Sequence, residues 1–94
     1  MKILIYLYDG VTALDAIGPY ESLSRLPGVE VRFVGRRAGL VRTGDGSLGL
    51  IADSGINDEI EADILIVPGG RRAGVQREMA EERVLGWMAV LDEA

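Results

Sequence analysis

Six apolar residues in succession, Ile-Leu-Ile-Tyr-Leu-Tyr at positions 3–8, run straight into Asp9-Gly10. An apolar run of this length without alternation suits a strand covered on both faces, the situation of a strand inside a parallel sheet. Asp9-Gly10 ends it with a turn, and Thr12 then reads as a helix N-cap with Asp15 three positions on as the acidic half of a capping box. A carboxylate at position 15 therefore stands just beyond the C-terminal end of the first strand, where open α/β sheets bind their ligands. The rest of the chain is read outward from residues 9–21.

The helix begun at Thr12 is expected to break at Gly18-Pro19, because proline lacks the N–H that helix bonding requires and disfavours helical geometry in the residue before it. Pro19 then opens a second helix, with Tyr20, Leu23 and Leu26 on one face and Pro27-Gly28 as its stop. Residues 29–35 alternate apolar and charged before ending Phe-Val-Gly and read as a second strand with one face partly wet. A polar turn at 36–39 follows. Residues 41–43 and 47–51 flank Gly44-Asp45-Gly46, a hairpin signal, since Asp-Gly tolerates the positive φ that such turns need. Residues 54–60 read as a loop with at most one helical turn, and 64–67 as a third buried strand closed by Pro68-Gly69-Gly70. From Glu81 onward Val84, Leu85, Trp87, Met88 and Leu91 form a helical apolar stripe, which makes Trp87 a packing anchor. Strand, helix, strand, hairpin, strand, helix is the order of an α/β layered sheet with right-handed crossovers.

At 94 residues the chain is one small domain, and a net charge of −5 with no basic stripe argues against nucleic-acid binding. It contains neither cysteine nor histidine. Disulfides, thiolate nucleophiles, Ser-His or Cys-His catalytic pairs and the usual zinc sites are therefore excluded within these residues. No metal or cofactor is expected. The apolar run at 3–8 is too short for a signal-peptide core or a membrane span, so the expected setting is cytoplasmic, without membrane association. Gly39 to Gly44 has the glycine spacing of a phosphate-binding loop, but Asp45 replaces its lysine. A receiver-domain reading of Asp9 would need an aspartate ending a later strand, where Val67-Pro68 stands instead.

Val11-Thr12-Ala13-Leu14-Asp15, Gly18-Pro19-Tyr20-Glu21, Val41-Arg42-Thr43 and Ile66-Val67-Pro68-Gly69-Gly70 together resemble the ThiJ/PfpI superfamily, which is glutamine-amidotransferase-like and includes the parkinsonism-associated deglycase. The likeness runs the length of the chain and is nearest to the isonitrile hydratase branch and to sensor domains of AraC-type transcription regulators. It implies a flavodoxin-like α/β fold, with a mostly parallel sheet, flanking helices and a small β-hairpin, incomplete at the C-terminus. Residues 1–94 would be the N-terminal part of a single domain. In that family a cysteine on a sharp strand-to-helix turn is the nucleophile, expected a short way beyond the last helix here. The resemblance implies a hydro-lyase in which the thiolate attacks the terminal carbon of an isonitrile and water releases an N-substituted formamide. This chain lacks the cysteine and is expected to be inactive alone.

By that resemblance Asp15 is the catalytic residue, a general acid/base or a partner of the thiol. The backbone N–H groups of Gly69 and Gly70 stabilise developing negative charge, and Gly18 and Pro19 line the substrate pocket. Each residue also has a plainer reading: Asp15 as an acid favoured by the helix dipole, Gly69-Gly70 as a tight strand-to-helix turn, Gly18-Pro19 as a helix break, and Glu21 as a solvated first-turn acid. Arg71-Arg72 could attract an anion at the start of the following helix, and its plainer reading is a solvated pair. Three roles stay open: part of an isonitrile hydratase-like enzyme, the small-molecule-sensing part of a regulator, or a chain whose one capacity is association. An unpaired apolar edge at 64–67, together with the dimerisation common in the family, makes a homodimer the expected assembly.

Overall fold

The computed structural model describes residues 1–93. Its central sheet has four parallel strands in the order β5–β2–β1–β6: β1 is Lys2–Tyr6, β2 Glu30–Gly35, β5 Ser54–Gly55 and β6 Ile64–Ile66. β1 lies between β2 and β6, with Ile3 opposite Val31 on one side and Ile64 on the other. All six residues from Ile3 to Tyr8 are buried, and burial of each such side chain is worth about 1.5–3 kcal/mol. A separate antiparallel hairpin, β3 (Gly39–Thr43) and β4 (Leu48–Ala52), turns through Gly44 and Gly46, both at positive φ.

Helices cover both faces. Successive residues of a strand point to opposite sides of the sheet. Phe33, the partner of Ile5, stacks on Tyr20 of α1 (Ala13–Leu23) at 5.4 Å, while Tyr6, the partner of Val34, meets Trp87 of α3 (Glu82–Glu93) at 5.6 Å. α1 and α3 therefore lie on opposite faces. A shorter helix, α2 (Arg72–Met79), connects β6 to α3. The expected α/β fold, mostly parallel sheet and hairpin are all present.

Several local expectations are corrected. α1 runs unbroken through Gly18-Pro19; the ring leaves only the Asp15 carbonyl without its helical donor, and the surrounding turns persist. Glu21 consequently sits in the last turn of α1, paired with Arg25 at 3.3 Å, and not in the first turn of a new helix. The helix expected from Glu81 onward is present as α3, and a further helix, α2, precedes it and ends where Ala80 donates to Gln76 O and Glu81 to Glu78 O. Within α3, Val84, Trp87 and Leu91 are buried, whereas Leu85 faces outward at 40% exposure. The 54–60 loop contains the two-residue strand β5 and a 3₁₀ turn at Ile56–Asp58. β6 is an edge strand among the described residues, and Ile64 and Val67, expected to be buried, are 42% and 48% exposed.

Candidate functional site

The C-terminal end of β1 is held by a turn that satisfies its backbone in several directions. Gly10, at φ +94, donates to Arg42 O (2.9 Å) and accepts from Arg71 N (2.8 Å). Val11 donates to Tyr8 O (3.0 Å) and accepts from Gly44 N (2.9 Å), and it bridges both Thr43 and Gly70. Thr12 N donates to Gly69 O at 2.8 Å. The start of α1 and the Pro68-Gly69-Gly70 bend are thus directly bonded.

Thr12 is the N-cap of α1 in extended geometry, but its side chain makes no cap hydrogen bond, so the expected capping box is not formed. The Asp15 carboxylate, on the first turn and exposed, instead lies against the bend: a methyl group on Gly69 would stand 3.0 Å from its Oδ2. Gly70 is more crowded. A methyl there would come 2.6 Å from Gly10 O, 2.7 Å from the Tyr8 hydroxyl and 2.9 Å from Val11 Cα. Neither glycine has positive φ, so close approach, and not turn geometry, is what requires glycine at 70. The N–H groups of Gly69 and Gly70 have no protein acceptor among the described residues. The Tyr8 hydroxyl donates to Pro68 O at 2.6 Å. Burial, and then the charges of Glu78 and Asp15, push its pKa up, which keeps it a donor. Gly18 and Pro19 lie half-buried in the middle of α1, and Gly18 has open space where a side chain would go.

Two buried carboxylates were invisible in the sequence. Glu78, on α2, accepts from the Tyr6 hydroxyl and from Arg36 through Nε (3.2 Å) and Nη2 (2.5 Å). Burial, reinforced by the bond to Glu78 and its charge, drives Tyr6 well above the ordinary tyrosine range, and the same carboxylate raises Arg36. Glu59 accepts from Lys2 Nζ (2.7 Å), Ser54 Oγ (2.7 Å) and Arg32 Nη1 (3.2 Å), while its carbonyl takes the Trp87 indole N–H at 2.6 Å. Burial alone would raise the Glu59 carboxyl, but these donors and the Lys2 and Arg32 charges outweigh it and hold the group below its ordinary value. No sequence spacing marks either glutamate, since their partners are 5 to 72 residues away. No cluster of three or more metal-ligating side chains occurs among the described residues.

Comparison with solved structures places this architecture. A mutant of a DJ-1 superfamily protein from Salmonella typhimurium superposes with a TM-score of 0.85 at 23% identity, over 98% of this chain and 50% of that one. A ThiJ/PfpI family protein from Pseudomonas syringae gives 0.84 at 24% identity, over 94% and 36%, and Drosophila melanogaster DJ-1beta gives 0.81 at 19%, over 94% and 47%. The chain thus spans half or less of the length of these structures, and at such identities they speak to the fold alone. No curated protein matches it by sequence. Residues 1–89 match the DJ-1/PfpI family, and the chain belongs to that family.

Proposed function

We propose that residues 1–94 are the N-terminal part of one DJ-1/PfpI domain and form one wall of an isonitrile hydratase-type site. Asp15 handles the proton, and the Gly69 and Gly70 N–H groups receive the negative charge that develops on a small substrate. The observation that carries this reading is the Asp15 carboxylate set against Gly69, beside two backbone donors without acceptors. Thiolate attack on the terminal isonitrile carbon leaves an electron pair there that must take a proton. A carboxyl at position 15 supplies it, and water then releases the formamide. The sequence contains no cysteine, so the thiol belongs to residues outside it. Gly18 and Pro19, on the same helix as Asp15, border the substrate, and the domain acts as a homodimer in the cytoplasm.

A second reading is that the site binds a small molecule without turning it over, as the sensing part of an AraC-type regulator does. Titration of the ¹⁵N-labelled chain with an alkyl isonitrile tests the site itself. The Gly69 and Gly70 amide signals are expected to move, the response to fall in Asp15→Asn, and no formamide to form. Equal responses in the variant and the parent chain would remove Asp15 from the site. Formamide production by the chain alone would show that the thiol is dispensable.

A further inference from the structure

In a chain of net charge −5, half of the ten cationic side chains gather at one end of the sheet. Two cavities open there. One, of about 220 Å³, is lined by Arg36, Arg37 and Arg77 with Asp9 and Glu78. The other, of about 400 Å³, is lined by Arg42, Arg71 and Arg77 with Asp9 and Asp45. Asp9 and Arg77 border both, so the two cavities are neighbours at the end of the sheet and are treated together as one arginine-lined groove.

Three carboxylates share this groove with five guanidinium groups, which leaves a surplus of two positive charges. Glu78 holds Arg36 and Tyr6, Asp9 accepts the Arg42 backbone N–H at 3.1 Å, and Asp45 accepts the Ser47 N–H at 3.1 Å. The arginines are less occupied. Arg42 reaches only the Gly46 carbonyl, at 3.5 Å, and Arg37 and Arg77 have no hydrogen-bond or ion-pair partner among the described residues. The guanidinium charge left unmatched by these carboxylates favours a bound anion. The first turn of α2 contributes as well: Arg71, Ala73 and Gly74 line the larger cavity, and the opening N–H groups of a helix lack intrahelical acceptors. Gly74 permits this approach, since a methyl there would come within 2.6 Å of Asp9 O.

We infer that the groove bounded by Arg37, Arg42, Arg71 and Arg77 binds a small phosphate monoester. The paired donors of arginine match two oxygens of one phosphate. The combined volume exceeds what a bare phosphate needs and leaves room for the organic part of the ligand, which lies toward Leu40 and Val41. The groove shares the Asp9-Gly10 turn with the Asp15 site, but it uses neither Asp15 nor the glycine bend and does not depend on the function proposed above.

The test is an NMR titration of the whole chain at constant ionic strength with glycerol 3-phosphate, inorganic phosphate, succinate and a short single-stranded oligonucleotide. Saturable shifts are expected at residues 37, 44–46, 73, 74 and 77, with the ester binding more tightly than phosphate and succinate weakest. Arg77→Gln and Arg37→Gln, both at exposed positions, should each weaken the ester at least fivefold. Arg25→Gln, exposed at the end of α1, should leave it unchanged. Shifts equal for every anion, no loss in either groove variant, or an equal loss in Arg25→Gln would overturn the site. Succinate binding as tightly as the ester, or tighter binding of the oligonucleotide, would overturn the ligand class.

Discussion

Replacing Gly70 by alanine should be far more damaging than the same change one residue earlier. At position 70 the new methyl would lie 2.6, 2.7 and 2.9 Å from Gly10 O, the Tyr8 hydroxyl and Val11 Cα, where ordinary contacts between such atoms are about 3.5–4.0 Å. Two of those atoms are backbone, and the turn they belong to is bonded to Arg42, Arg71 and Gly44, so it has little freedom to retreat. Overpacking of this kind costs about 1–3 kcal/mol. Displacing the Tyr8 hydroxyl from Pro68 O adds about 1 kcal/mol, and the lower entropy of the unfolded alanine chain returns about 0.4–1 kcal/mol. The net loss is about 1–3.5 kcal/mol, a large part of the roughly 5–14 kcal/mol available to a chain of this size. For such a domain it corresponds to a fall in Tm of about 5–25 °C. At Gly69 the methyl meets only the free end of the Asp15 side chain, at 3.0 Å, which can swing away. The Tm of Gly69→Ala should therefore stay within about 3 °C of the parent, a change of under 0.5 kcal/mol. Thermal unfolding followed by circular dichroism reads both. Equal shifts in the two variants, or a Gly70→Ala chain as stable as the parent, would refute the packing described at the bend.

Glu78→Ala leaves the buried Tyr6 hydroxyl without its acceptor and the Arg36 guanidinium with only Glu81, 3.5 Å from its Nη1. Urea denaturation should show a loss of about 2–4 kcal/mol, toward the low end because Arg36 is 37% exposed and can turn to water. Tyr6→Phe should cost about 1 kcal/mol, and the double variant less than the sum of the two singles. Acid should reveal Glu59. Its folded pKa lies below the ordinary 4.5, so its stabilisation is present above that value and is lost as pH falls through the folded one; Glu59→Gln should flatten the acid limb of the stability profile. Tyr6 acts at the opposite end: its folded pKa is raised above the ordinary 10.0, so stability should hold below pH 10 and decline above it, and Tyr6→Phe should reduce that decline, leaving the part that the raised Tyr8 contributes.

What the sequence revealed and what it hid follow from the range of the interactions. The run at 3–8, the Asp-Gly hairpin and the Pro-Gly-Gly bend are local signals, and each appears where its pattern points. Pro19 misled because a proline in a short helix removes one bond, while packing of Ala16 and Tyr20 holds the remainder in place. Thr12 and Asp15 had the spacing of a capping box, but the carboxylate had a competing neighbour in Gly69, which only the fold brings close. Glu59 and Glu78 carry no periodic signature, and an isolated glutamate in a sequence reads as a surface acid until its partners are assembled around it. Of the arginine groove the sequence pointed only to Arg71 at a helix start; the rest was hidden for the same reason, since its members come from residues 36–42 and 71–77.

Val11 has a consequence beyond its own burial. Its main chain is tied to Thr43 and Gly44 on the hairpin and to Gly70 at the bend, so a single residue is the hub between the loop that walls the arginine groove and the glycines that face Asp15. A force that displaces the hairpin tip reaches the double glycine without passing through any flexible linker. Displacing the hairpin tip is therefore expected to strain the double-glycine bend through one buried valine.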